Sequence, residues 1–109
     1  MISTHQLLTV LAALHRKRRF REGTFSSHDF IQEYCRQYET EYLDWLMMYY
    51  RTERAFQTVH KQIGRFLSKH ENEVLDTHRP YLVFRRTHPN DSECVHGTID
   101  RPMWWEFIV

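Results

Sequence analysis

Apolar positions along the 109-residue chain recur at helical spacing over its first two thirds and at strand spacing after that. Leu7, Leu8, Leu11 and Leu14 form one stripe, Ala12 and Ala13 add helix propensity, and Ser3 or Thr4 can act as cap, so a helix is predicted over about 4–18. Glu22-Gly23-Thr24 breaks that pattern. Ser26 followed by Asp29 has the spacing of a capping box, and Phe25 with Phe30 that of a hydrophobic staple. A second helix is therefore predicted over about 27–38, through Ile31, Tyr34, Cys35 and Tyr38. Residues 40–51 read as a further helix, about 41–51, or as a continuation of the second. Tyr42, Leu43, Trp45, Leu46, Met47, Met48, Tyr49 and Tyr50 make it apolar almost all round, which suits burial on several sides or pairing with another subunit. Phe56, Val59, Ile63, Phe66 and Leu67 mark the apolar side of a helix over about 55–70. Gly64 within it points to close approach of a neighbouring helix backbone.

Beyond Pro80 the pattern turns β-branched and aromatic. Strands are predicted over about 81–87 and 103–108, joined by the Pro-, Asn-, Asp- and Gly-bearing residues 88–101. The last strand would carry Trp105, Phe107 and Val109 on one face and Trp104, Glu106 and Ile108 on the other. The fold class expected is α+β, mainly α: three to four helices followed by a C-terminal two-stranded hairpin, in one domain over 1–109.

Composition narrows the class. Three Gly and three Pro argue against disorder. No apolar run approaches the roughly 20 residues of a membrane span, and the start lacks a signal-peptide layout, so a cytoplasmic protein without a membrane partner is expected. Cys35 and Cys94 fit free thiols in a reducing compartment. The net charge is only +1, but its signs are segregated. Residues 1–21 hold Arg16, Lys17, Arg18, Arg19 and Arg21 and no acid, and residues 54–70 hold Arg54, Lys61, Arg65 and Lys69 and no acid. The polar face of 56–70 carries Gln57, Thr58, His60, Lys61, Gln62, Arg65, Ser68 and Lys69, side chains that hydrogen-bond bases or pair with phosphates.

Helix, tight break, helix, helix and hairpin follow one another in the order of a winged helix-turn-helix domain, and the chain resembles that family over nearly its whole length. The resemblance rests on element order, the Phe25-Ser-Ser-His-Asp-Phe30 helix start, the 56–70 helix and the two terminal strands. It implies sequence-specific binding of double-stranded DNA by a transcriptional regulator. Residues 56–70 would be the recognition helix in the major groove and 88–101 the wing on the backbone or minor groove. In that reading Gln57, Thr58, His60 and Lys61 face bases and Arg65 and Lys69 hold phosphates. Arg16, Lys17, Arg18, Arg19, Arg85 and Arg86 flank the duplex. Two features depart from the family pattern. Residues 42–50 are additional, and Asp91, Glu93 and Asp100 offset Arg85, Arg86 and Arg101 around the wing. A winged helix can also serve as a protein-interaction module, an adapter or inhibitor, and that is the alternative reading. A homodimer would form through 42–50 or the C-terminal Trp strand.

Other chemistry finds little support. Cys94-Val-His96 with His88 and either His78 or His70 offers N and S donors, but CxxC, HxxxH and HExxH are all missing, so no metal is expected. GxSxG, a P-loop and a Gly-rich nucleotide loop are missing too, and neither catalysis nor a cofactor is expected.

Overall fold

Ser3 and Gln6 close the first helix at its start. The Ser3 hydroxyl accepts from the Gln6 backbone N–H at 3.1 Å, and the Gln6 side-chain oxygen accepts from the Ser3 N–H at 3.0 Å. Helix α1, Thr4–Lys17, then buries Leu7, Val10, Leu11, Ala13 and Leu14. The computed structural model describes residues 2–17, 23–51, 54–87, 92–93, 99–100 and 102–108. Gly23, at φ 71°, immediately precedes strand β1, Thr24–Ser26, which the sequence pattern did not reveal. Ser26 caps α2, Ser27–Gln37, through a complete capping box with Asp29, at 2.8 and 3.0 Å. Phe25 and Phe30 are both buried, as the staple reading requires.

Tyr38 leaves helical geometry at φ −130°, ψ 50°, so α3, Glu39–Met47, is a separate helix. It ends earlier than the expected 51. The Tyr49 and Tyr50 N–H groups bond three residues back, to Leu46 and Met47, and wind the chain too tightly to continue an α-helix. Helix α4, Ala55–His70, buries Val59, Ile63 and Leu67. Phe56, expected in that stripe, is exposed, and its ring lies edge-on to the His60 ring with centres 6.1 Å apart. The expected helix approach at Gly64 is not found among the described residues, where a Cβ would meet nothing within 4 Å. Asn72, at φ 59°, turns the chain after α4, and its N–H bonds the Phe84 carbonyl at 2.8 Å.

The strand expected over 81–87 is shorter. Pro80 opens a 3-10 turn, Pro80–Leu82, and β2 is Phe84–Thr87. A short ladder follows, β3 Ser92–Glu93 against β4 Ile99–Asp100, and β5 is Trp104–Phe107. The main sheet runs β1-β5-β2, all antiparallel, with Phe25 opposite Trp105 and Arg85 opposite Glu106. The architecture is thus α+β and mainly helical, with four α-helices and a three-stranded sheet among the described residues. The fully buried Trp105, Phe84 and Phe25 join the sheet to the buried sides of α1, α2 and α4. Trp105 and Phe107 share the inward face: Trp105 packs edge-on to Phe84 at 5.6 Å, and Phe107 lies 5.2 Å from Phe25. The Trp105 indole donates to the Ser27 hydroxyl at 3.2 Å, so the buried N–H is satisfied. No helix among the described residues is long and apolar enough to cross a membrane.

Candidate nucleic-acid interface

The buried stripe of α4 fixes which of its residues point outward. With Val59, Ile63 and Leu67 at i, i+4 and i+8 turned in, Arg54, Gln57, Lys61 and Arg65 share the opposite side and all are exposed. They line, with Thr58 and Gln62, an open depression of about 240 Å³ that contains no carboxylate. Lys69 is exposed one turn further on. Arg54, Lys61, Arg65 and Lys69 form no ion pair with any described residue, whereas six ion pairs elsewhere engage Lys17, Arg36, His70, Arg79, Arg85 and Arg86. The row from Arg54 to Lys69 extends roughly 22 Å at 1.5 Å per residue.

Two of the residues assigned to this face are drawn inward. His60 Nε2 lies 2.7 Å from the Tyr42 hydroxyl and its ring stacks on Tyr42 at 6.0 Å. Gln62 accepts from the Trp45 indole N–H at 2.8 Å and donates to the Tyr49 hydroxyl at 2.7 Å. Both therefore bind α3 to α4, which leaves Gln57, Thr58 and Lys61 as the outward polar residues of the first two turns. Arg54 was missing from the expected site. Its signal in the sequence was its place as first cation of the acid-free run, obscured because it precedes the helical stripe.

The flanking arginines divide. Arg86 reaches the C-terminal end of α4, donating to the Ser68 hydroxyl at 2.8 Å, and its guanidinium lies 5.6 Å from the Trp105 ring centre. Its backbone N–H is taken by Glu71 at 3.0 Å. Arg85 points to the other side of the sheet and pairs with Glu106 at 2.6 Å. Lys17 is engaged by Glu33 on α2. Arg16 borders a second depression with Ala12, His15, Arg79 and Tyr81, which shares no residue with the α4 depression. Arg18 and Arg19 lie outside the described residues, as does most of the segment 88–101 that was expected to form a wing, including Cys94 and His96. Among the described residues no cluster of three His, Cys, Asp or Glu side chains is placed to hold a metal ion.

Burial shifts two groups near this helix pair. Desolvation pushes the half-buried Cys35 thiol up to about 11, a hydrogen bond with Tyr42 pulling only partly the other way. The Tyr34 hydroxyl, buried without a hydrogen-bond partner among the described residues, is pushed up to about 12, again mainly by desolvation. Neither group is primed as a nucleophile. The chain matches no family model, no curated protein and no solved structure.

Proposed function

We propose that this protein is a winged-helix DNA-binding protein of the regulatory kind, which docks α4 in the major groove of double-stranded DNA. The observation that carries the reading is the side of α4 that bears no acid and whose cations pair with no described residue. A row of roughly 22 Å overspans a major groove about 12 Å wide. The ends of the row, Arg54 and Lys69, then fall at the phosphates, and Gln57, Thr58 and Lys61 fall nearer the base edges. Arg65 extends the phosphate contacts, and Arg86 reinforces the Lys69 end. Local electrostatics supports the same reading. Arg54 occupies the N-cap position of α4 with no side-chain cap, and the first turn has no acid. A cation there opposes the helix dipole, an arrangement that a docked phosphate would reverse. The succession of helices and C-terminal strands agrees with the winged-helix resemblance, with α3 additional between α2 and α4 and β1 added at the sheet edge.

The test is a salt titration of binding to random duplex DNA. Affinity should fall steeply with salt, and the Lys61→Ala/Arg65→Ala variant should flatten the slope by about two units. An unchanged slope in a folded variant would refute the assignment. The second reading, a protein-interaction module, is favoured by the exposed Leu43, Met47, Met48 and Tyr50 beside the same helix. Those side chains do not compete with the cationic row for the same surface.

A further inference from the structure

Helix α3 buries Tyr42 and Trp45 and leaves the opposite side outward. Leu43 and Met47 stand on that side, and Met48 and Tyr50 follow in the turn after the helix; the four are 49, 61, 70 and 60% exposed. Large apolar side chains grouped this closely are uncommon on a surface that stays in water. Their polar neighbours are arranged by sign along the helix and the turn that follows it. Asp44 lies on the N-terminal side of the two methionines and Arg51 on the C-terminal side, both exposed. The Asp44 carboxylate pairs with no described cation. Arg51 is held against Tyr50, its Nε donating to the Tyr50 hydroxyl at 2.8 Å and its guanidinium 5.5 Å from the ring centre. That contact uses one of five N–H donors and leaves the terminal nitrogens for a carboxylate.

We infer that this side of α3, with the turn that follows it, is the interface with a second copy of the same chain, packed antiparallel about a two-fold axis between Met47 and Met48. The polarity of the strip argues for that occupant. In an isologous contact the same surface must complement itself. A strip with acid before and base after an apolar centre does so only when the copies run in opposite directions. Met47 then meets Met48 of the partner subunit, and Asp44 meets the partner's Arg51 twice, once on each side of the axis. Parallel packing would set Asp44 against the partner's Asp44 and Arg51 against the partner's Arg51. Of the other surface considered for dimerisation, the C-terminal Trp strand, backbone pairing through β5 is closed, because β1 and β2 occupy both of its edges. The inference is independent of DNA binding, since none of its residues lies in the α4 row.

Sedimentation equilibrium on the full chain at micromolar concentrations tests it. The expected result is a monomer–dimer equilibrium that Asp44→Arg or Arg51→Asp alone weakens about tenfold, each change acting on two symmetric pairs. The variant carrying both changes should recover the dimer, because the pairs are re-formed with signs exchanged. All these positions are exposed, and unchanged circular dichroism and melting confirm that the fold persists. A monomer throughout overturns the inference. So does a dimer indifferent to the single changes, or one that the double change fails to restore.

Discussion

The indole N–H of Trp45 and the side-chain oxygen of Gln62 are 2.8 Å apart, and the amide nitrogen of the same glutamine is 2.7 Å from the Tyr49 hydroxyl. One side chain thus satisfies two aromatic residues of the α3 segment from a position on α4. Gln62→Ala should destabilise the protein by about 1–3 kcal/mol, because it leaves the Trp45 indole N–H, largely shielded from water, unpaired. The slope of DNA affinity against salt should stay the same, since glutamine carries no charge. Gln57→Ala should do the reverse, with an unchanged melting temperature and weaker duplex binding. Chemical denaturation and binding on the two variants separate a glutamine that holds the helix pair from one that faces outward.

Glu33 supplies the clearest dependence on pH. Its side chain is only 2% exposed, and burial alone would raise its pKa. Hydrogen bonds from Lys17, Gln37 and Arg36, with the charge of Lys17, outweigh that and hold it below the ordinary glutamate value. A carboxylate whose folded pKa is depressed binds its proton less readily than in the unfolded chain. Its contribution is present above the unfolded value of 4.5 and is lost as pH falls through the folded value. Melting temperature should therefore decline with acid below about pH 4.5, and Glu33→Gln should flatten that decline. At neutral pH the variant should be less stable by about 1–3 kcal/mol, since Lys17 and Arg36 lose their shared anion. An acid limb of equal steepness in both proteins would place the sensitivity elsewhere.

The helices were legible because their signals are local. Ser26 and Asp29 are three residues apart and make the cap that the spacing implies. Val59, Ile63 and Leu67 mark the inward side of α4 without reference to any other element. Strand β1 was not legible: three residues, Thr24–Ser26, carry no period, and their extended form is fixed by pairing with Trp104–Glu106 almost eighty residues later. Within the site, Lys61 and Arg65 are exposed as their helical phase required. His60 and Gln62 lie at the margins of the same polar arc, where phase alone does not separate outward from sideways. Their direction depends on where α3 crosses, and that follows from the break at Tyr38 and the tightened turn after Met47. The same distinction applies to Arg85 and Arg86. Strand alternation puts them on opposite faces, but only the register with Glu106 and the nearness of Ser68 decide which one adjoins α4.

Gly64 offers a measurement in which stability and binding diverge. It lies inside α4, three residues after Lys61 and four before Ser68, so it borders the cationic row. A methyl group there would meet no atom within 4 Å, so Gly64→Ala introduces no clash in the isolated protein. The substitution should stabilise the helix by about 1 kcal/mol, because alanine loses less backbone entropy than glycine on folding. In a domain of this size that raises the melting temperature by roughly 4 °C. No neighbour among the described residues calls for a glycine at this position. With α4 in a major groove the missing side chain lets the helix backbone come close to the duplex. Gly64→Ala should then bind DNA more weakly than the parent chain although it melts higher. Higher melting with unchanged affinity would show that the duplex does not approach α4 along the Gly64 edge, and would move the contact towards the Thr58 and Lys69 side.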